Sequence, residues 1–162
     1  MTDEMLATLG SGPLYRFADW PNEEVPNWPC GVYTVWDGPS LVYVGMAGRS
    51  LAADAHLQPE ARASKRNRGL RDRLQSHASG RRSGDQFCVY VCDRLVLSDF
   101  TQADLTDVAA GRVSLDERTK DYIRKHLSYR FVVTDSGQHA RELEGSIQLG
   151  ALDGRKPLLN PR

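Results

Sequence analysis

Residues 31–45, with the sequence GVYTVWDGPSLVYVG, constrain the fold of this chain more than any other stretch. Residues 32–36 and 41–44 are rich in β-branched and aromatic side chains, which favour strands. The turn-forming sequence Asp-Gly-Pro-Ser separates them, and this pattern predicts a β-hairpin. A glycine at each outer end of the hairpin leaves room for another backbone or for a ligand.

Each predicted strand carries one tyrosine, Tyr33 or Tyr43. Because side chains alternate between the two faces of a strand, these tyrosines share a face only if the loop has an odd number of residues. A three-residue loop, residues 38–40, would pair Tyr33 with Gly45 and Val35 with Tyr43. The sequence leaves open whether the two rings form a site or only pack as ordinary core residues.

Charge and composition exclude several classes of protein. The 162 residues are enough for one domain with its own core, and the 21 basic residues balance the 21 acidic ones. Any affinity for nucleic acid must therefore come from a local patch. No stretch is apolar enough to span a membrane and the first residues do not resemble a signal peptide, so we expect a cytoplasmic protein with no membrane partner. The cysteines match neither a disulfide framework nor a zinc motif.

The order of strand and helix signals predicts an α+β fold, with helices packed around a small, mostly antiparallel sheet. Strands are expected at residues 32–36, 41–44, 87–97 and 129–134. Helices are expected at residues 3–9, 69–79, 103–111, 115–127 and 138–149, with a helical turn at residues 51–56. We expect residues 1–28 to be a lead-in that packs on the body, and residues 29–162 to form the domain itself.

Basic residues are concentrated in residues 62–82, where Asp72 is the single acidic residue. Such a run is either a solvated helix face or a patch that binds phosphate groups. The candidate nucleic-acid-binding residues in and near this run are Arg49, Lys65, Arg66, Arg68, Arg71, Arg81 and Arg82.

A helix at residues 69–79 would place several side chains on one face, because successive residues are about 100° apart. These residues are Leu70, Arg73, Leu74 and His77. Arg73 and His77 then flank the apolar stripe at the edge of the core. An unpaired arginine there is costly, so Arg73 must meet an anion or a carboxylate. The alternatives are a structural ion pair for Arg73 and a packed core-edge position for His77.

The final predicted helix contains two glutamates with different surroundings. Its apolar side is marked by Ala140, Leu143 and Ile147. Glu144 lies at the edge of that side, whereas Glu142 points away from it into solvent. A carboxylate held beside an apolar stripe must be paired or bind a metal. Glu144 is therefore either a metal ligand or one partner of a buried ion pair, for example with Arg73.

Three separate pieces of this sequence together resemble the signature of the GIY-YIG nuclease superfamily. The first is the hairpin, with Gly31-Val32-Tyr33 and Tyr43-Val44-Gly45. The second is Leu70-x-x-Arg73-x-x-x-His77. The third is Ala140-x-x-Leu143-Glu144-x-x-Ile147, followed by Pro157-Leu158-Leu159-Asn160. They occur in the expected order over most of the chain, with insertions at about residues 46–67 and 98–127 compared with the smallest members.

The resemblance implies a metal-dependent endonuclease that hydrolyses phosphodiester bonds in nucleic acid, with DNA favoured over RNA as the substrate. It implies that Tyr33 is the general base, that Glu144 binds Mg²⁺ or Mn²⁺, and that Arg73 stabilises the transition state. Tyr43 would position the water or the phosphate, and Asn160 would help to arrange the site.

The chain also departs from the family pattern. His77 has a counterpart in some members only, and it would bind phosphate or relay a proton. Some members carry a lysine soon after the second motif, whereas this chain has Met46 there and Arg49 as the nearest cation. Which group helps Tyr33 to lose its proton therefore stays open. The alternative function is a non-catalytic module that binds nucleic acid on the same fold.

Overall fold

The computed structural model describes residues 2–49, 51 and 69–161. They form a mixed α+β fold with a four-stranded antiparallel sheet, which confirms the predicted fold class. The strands are β1 (Tyr15–Arg16), β2 (Gly31–Asp37), β3 (Ser40–Ala47) and β4 (Leu127–Val133). The helices are α1 (Thr2–Ser11), α2 (Leu70–Ser79), α3 (Gln86–Val91), α4 (Gln102–Ala109), α5 (Leu115–His126) and α6 (Gly137–Gln148). Within the described ranges, no helix is both long and apolar enough to cross a membrane.

The order of strands in the sheet is β1, β4, β2, β3, and every pair of neighbours is antiparallel. The three strands predicted at residues 32–36, 41–44 and 129–134 are confirmed as β2, β3 and β4. Strand β1 was not predicted, because two residues are too few to show a periodic pattern. The helical turn predicted at residues 51–56 lies outside the described residues except for Leu51.

The edge of the sheet at β3 is covered by the C-terminal segment of the chain. The backbone N–H groups of Leu158 and Leu159 donate to the carbonyl oxygens of Leu41 and Val42, at 3.2 and 2.8 Å. An open strand edge would expose unpaired backbone groups, so this contact completes the sheet. It also brings Asn160 to the side of β3.

The pairing between β2 and β3 places both tyrosines on one face of the sheet. Tyr33 lies opposite Gly45 and Val35 lies opposite Tyr43, the register that an odd-numbered loop would produce. The loop itself is different from the one considered, because Asp37 already pairs with Ser40 and only two residues remain between them.

A β-bulge restores the register that the shorter loop would otherwise change. Val35 pairs with Tyr43 but Trp36 pairs with Leu41, so Val42 is an extra residue in β3. One extra residue in one strand shifts the alternation of side chains by one position, as a longer loop would. The tyrosines therefore share a face for a reason that the loop sequence does not contain.

The strand predicted at residues 87–97 is wrong, because this segment is helical. Helix α3 continues as a π turn at Cys92–Val96 and a 3₁₀ turn at Leu97–Asp99. Asp85 caps the start of α3 by accepting a hydrogen bond from the N–H of Phe87 at 3.0 Å. The buried residues are Phe87, Cys88, Val91 and Cys92, which follow the helical period and not the alternation of a strand.

The sheet separates two layers of helices. The face that carries Tyr33 and Tyr43 packs against apolar residues of α2, α3 and α5. The opposite face, which carries Val32 and Val44, packs against α1 and α6. Helix α2 therefore lies over the tyrosine face, whereas α6 approaches the same end of β3 from the other side.

Two tryptophans of the predicted lead-in contact the body of the protein. The indole N–H of Trp20 donates to Oε1 of Gln75 on α2 at 2.6 Å. The indole N–H of Trp28 donates to the carbonyl oxygen of Thr134, just after β4, at 3.0 Å. Each bond gives the indole N–H an acceptor in place of the water that it loses when the ring packs.

Substitution of Gly80 should test the close contact between α2 and α5. Gly80 caps α2 with a φ of 71°, and a Cβ there would lie 2.5 Å from the backbone nitrogen and Cα of Lys120. We expect Gly80→Ala to lower the free energy of unfolding by the αL strain of about 1–2 kcal/mol and by about 1–3 kcal/mol more for the clash. Denaturant unfolding measures the sum of these two losses.

Gly84→Ala is the matched control. Gly84 has a similar φ of 80°, but no described atom lies within 4 Å of the position of its Cβ. It should therefore show only the strain of the left-handed backbone. Equal losses of stability in the two variants would contradict the contact between Gly80 and α5.

Candidate active site

The phenol of Tyr33 lies at the centre of the candidate site. Its ring is 2 % exposed, and its hydroxyl oxygen lies 2.8 Å from Nε2 of His77 on α2. A Cβ on the facing residue, Gly45, would overlap the Tyr33 hydroxyl. The glycine of the second motif therefore leaves the space in which the tyrosine of the first motif lies.

The imidazole of His77 connects Tyr33 to a buried carboxylate. Nδ1 of His77 lies 2.6 Å from Oδ2 of Asp85. The ring is held between aromatic neighbours, with its centroid 4.4 Å from that of Phe87 and 6.0 Å from that of Tyr43. If Nδ1 donates to Asp85, Nε2 is left as an acceptor for the hydroxyl of Tyr33. The three side chains then form a continuous path for a proton.

The sequence analysis did not identify Asp85 as a site residue. Burial alone would raise its pKa, but the hydrogen bond from His77 and the backbone N–H groups of Phe87 and Cys88 outweigh burial and lower it. Asp85 therefore remains a carboxylate that can hold an imidazolium. The signal that could have found it is an aspartate just before an apolar run, which is a pattern typical of a helix N-cap.

Neither phenol in the site ionises readily. Burial raises the pKa of Tyr33 well above its usual value. Burial and the negative charge of Glu144 raise the pKa of Tyr43 to about 12. A general base made from Tyr33 therefore requires a partner that accepts its proton, and His77 is in contact with it.

Arg73 lies on the same face of α2 as His77, at the edge of the core. Its charge partly offsets the rise in the pKa of Tyr33, Tyr43 and Glu144, so it lies within electrostatic reach of all three. Its Nε atom is buried and has no hydrogen-bond partner among the described residues. A buried N–H without a partner is costly, so this group is suited to donate a hydrogen bond to a ligand oxygen.

Glu144 is buried, with 7 % of its surface exposed, whereas Glu142 is exposed as predicted. Oε2 of Glu144 forms an ion pair with Nη2 of Arg49 at 2.9 Å. Burial raises the pKa of Glu144, even though Arg49, Arg73 and Arg141 all act to lower it. The ion pair that the sequence analysis considered therefore exists, but its partner is Arg49 and not Arg73.

The donor set suits only a metal ion that takes few protein ligands. In the part of the chain that the structure describes, no three His, Cys, Asp or Glu side chains lie close enough together to hold an ion between them. Mg²⁺ is commonly bound by one or two carboxylates, with waters and substrate phosphates as the other ligands. Glu144 fits such a site, and the guanidinium of Arg49 occupies the position of a cation beside it.

Asn160 is committed to the backbone of β3. Its Nδ2 donates to the carbonyl oxygen of Val44 at 2.8 Å, and its Oδ1 accepts from the N–H of Val44 at 2.9 Å. Val44 follows Tyr43 directly, so Asn160 fixes the strand that carries this tyrosine. Its role in arranging the site, which the resemblance implies, stays a prediction.

The structure describes four of the seven predicted nucleic-acid-binding residues. Arg71 donates to Oε1 of Glu23 at 3.0 Å, and Arg82 donates to Oδ1 of Asp116 at 2.7 Å. Both are therefore already engaged within the protein. Arg49 is paired with Glu144, and Arg81 is exposed. The remaining three residues lie outside the described ranges: Lys65, Arg66 and Arg68.

Comparison of this chain with protein-family models, with curated proteins and with solved structures found no match. The resemblance to the GIY-YIG superfamily therefore depends on the sequence motifs, and the geometry of the site stands beside it as a separate observation. That geometry has two tyrosines whose ring centroids lie 6.4 Å apart and a histidine that is hydrogen-bonded to one of them. The charges of Arg73 and Glu144 act on both tyrosines.

The stability of the Glu144→Gln variant should depend on pH in a defined direction. The pKa of Glu144 is raised by burial above its ordinary value of 4.5, so its contribution to stability is fully present below pH 4.5 and is lost as the pH rises through the folded value. Glutamine does not ionise and escapes this loss. We therefore expect the variant to gain stability relative to the natural chain as the pH rises above about 4.5, measured by denaturant unfolding.

Glu142→Gln is the control for this measurement. Glu142 is exposed and lies on the same helix. Its substitution should leave the dependence of stability on pH unchanged in this range. A loss of stability in Glu144→Gln as the pH rises would show that the ion pair with Arg49 outweighs the effect of burial.

Proposed function

We propose that this protein is a metal-dependent endonuclease of the GIY-YIG type, with DNA ahead of RNA as its substrate and with a cytoplasmic location. The observation that carries the proposal is the hydrogen-bonded path from Asp85 through His77 to Tyr33, next to Tyr43, Arg73 and Glu144. Such a group of perturbed acids and a cation at one place is characteristic of catalytic sites.

The path supports a route by which Tyr33 loses its proton in a chain that has Met46 where some family members carry a lysine. Nε2 of His77 accepts the proton from the Tyr33 hydroxyl across 2.8 Å. Asp85 holds the ring in the orientation that leaves Nε2 available, and its negative charge stabilises the imidazolium that forms. His77 thus gives the proton of Tyr33 an acceptor, so that no free phenolate has to form.

Tyr33 activates a water molecule in the same step, passing its own proton to His77 as it receives one from the water. It takes a proton from the water as the water oxygen forms a bond to phosphorus, while the bond from phosphorus to the leaving oxygen breaks. The leaving oxygen takes up a proton from solvent. Tyr43, whose ring centroid is 6.4 Å from that of Tyr33, is placed to orient the water or the phosphate.

Arg73 and Glu144 provide the electrostatic part of this mechanism. Arg73 donates to the non-bridging oxygens of the phosphate, which supplies the missing partner of its buried Nε. Glu144 would hold Mg²⁺ or Mn²⁺, which when bound neutralises charge on the phosphate and the leaving oxygen. Arg49 is 64 % exposed at its side chain, so it can turn away from Glu144 toward a substrate phosphate.

The second candidate function is a module that binds nucleic acid without cleaving it. The ion pair between Arg49 and Glu144 favours it, because a guanidinium already neutralises the carboxylate that a metal would need. Incubation with branched, single-stranded and duplex DNA and RNA, with and without Mg²⁺ or Mn²⁺, separates the two functions. Binding without cleavage of any substrate in this panel would support the module.

Glu144→Gln should abolish cleavage while leaving most of the binding. The change removes the charge that holds the metal and alters the volume very little, so we expect the rate to fall by about 10²-fold or more. Glu142→Gln should cleave like the natural chain, since that side chain is exposed. Cleavage that survives Glu144→Gln but not Glu142→Gln would show that Glu142, and not Glu144, is the carboxylate that binds the metal.

Asp85→Asn should test the proton path without removing the cap of α3. The amide oxygen can still accept from the N–H of Phe87, while its NH₂ group faces Nδ1 of His77. Nδ1 must then accept, so Nε2 carries the proton and cannot take another from Tyr33. We expect the cleavage rate to fall by about 10²–10⁴-fold and its dependence on pH to change, without any loss of DNA binding.

Tyr33→Phe provides the comparison for this variant. It removes the same proton path at its other end, so the two changes together should cost little more than either alone. Losses that multiply in the double variant would show that Asp85 does not act through Tyr33.

A further inference from the structure

A cavity lies at the Asp85 end of the proton path. It is formed by the end of α2, by residues 80–85 and by α5. Its volume is about 560 Å³, and the residues around it include Ser83, Asp85 and the cations Arg81, Lys120 and Arg124. Asp85 belongs to both places, because it faces this cavity and also holds His77. The cavity is therefore separated from the hydroxyl of Tyr33 by one imidazole ring.

The charge around the cavity is strongly positive although the whole chain is neutral. Of the described residues in its wall, Asp85 alone carries a carboxylate, and it is already engaged by His77 and by the N–H of Phe87. The nearby carboxylate of Asp116 is held by Arg82 at 2.7 Å. Among the described residues, none of the three cations that line the cavity, Arg81, Lys120 and Arg124, forms an ion pair.

Arg124 supplies the observation that points to a ligand. Its Nε atom is buried and has no hydrogen-bond partner within the described part of the chain. Lys120 lies one helical turn before it on α5, so the two side chains share a face. A guanidinium N–H that is out of water without an acceptor is costly, and an anionic oxygen in the cavity would satisfy it.

The walls of the cavity are fixed before any ligand binds. Gly80 packs directly on the backbone of Lys120, and the ion pair between Arg82 and Asp116 ties residues 80–85 to the start of α5. Rigid walls lower the entropy cost of binding, because the cations are already close together. This arrangement suits recognition of a phosphate group, which takes several charged donors at once.

We propose that this cavity binds a phosphate of the nucleic-acid strand next to the one that is cleaved. The proposal rests on the proposed function for its ligand, since only a bound strand would supply neighbouring phosphates to Tyr33 and to the cavity. Lys120 and Arg124 are then nucleic-acid-binding residues outside the basic run of residues 62–82, and Arg81 is the member of that run that joins them.

The test measures how the affinity for DNA depends on salt. Each phosphate contact by a lysine or arginine contributes about one unit to the slope of log Kd against log salt concentration. With a chelator present to prevent cleavage, fluorescence anisotropy of a labelled DNA strand gives this slope for the full chain. We expect Lys120→Gln with Arg124→Gln to reduce the slope by about 2.

The matched control is Arg118→Gln with Lys125→Gln. These exposed residues lie on the same helix and do not line the cavity, so the slope should hardly change although the same charge is removed. Substitution of the partly buried Arg124 can destabilise the fold, so the single variant Lys120→Gln at an exposed residue is measured as well. It should reduce the slope by about 1. An equal reduction in both double variants, or none in either, would overturn the proposal.

Inorganic phosphate separates the two sources of the ligand. If free phosphate stabilises the natural chain against thermal unfolding but not the Lys120→Gln and Arg124→Gln variant, while the DNA slope is unchanged, the cavity serves a small anion and the proposal fails. Cleavage with an unchanged slope also rejects this cavity but keeps the nuclease. A reduced slope without cleavage supports the cavity and rejects the nuclease.

Discussion

The hydrogen bond between the Tyr33 hydroxyl and Nε2 of His77 is the interaction on which the rest of the candidate site depends. It joins the central strand of the sheet to α2, and it forms only if three conditions hold together. The bulge at Val42 must place Tyr33 opposite Gly45, Gly45 must lack a side chain, and α2 must present His77 to that face. The backbone of the hairpin therefore decides whether Tyr33 can transfer a proton at all.

The same burial that brings these groups together works against their charged forms. It raises the pKa of Tyr33, Tyr43 and Glu144, and it leaves Nε of Arg73 without a partner in the described residues. A core designed only for stability would avoid such groups, since each one loses contact with water. Their collection at one end of β3 is the pattern expected where function is kept at the expense of stability.

Features that depend on local periodicity could be predicted from the sequence, and features that depend on tertiary pairing could not. The helical face of His77 and the difference between Glu142 and Glu144 follow from a rotation of about 100° per residue. The apolar segment after Asp85 was interpreted as a strand, because its valines and aromatic residues favour strands, whereas its burial follows a helical period. That error also hid the role of Asp85. The partner of Glu144 lies 95 residues away in the chain, and no local pattern marks it.

Under the proposed function, the different partners of the two arginines near the site decide how a substrate would enter it. If Glu144 were paired with Arg73, which is half-buried with its Nε out of water, a phosphate would have to break an ion pair at the edge of the core, which is unfavourable because a charge is left uncompensated. Glu144 is instead paired with Arg49, whose side chain is mostly exposed and loses little when it returns to water. Arg73 keeps an unused donor for the phosphate. A cation can therefore replace Arg49 at Glu144 without disturbing the group that would hold the substrate.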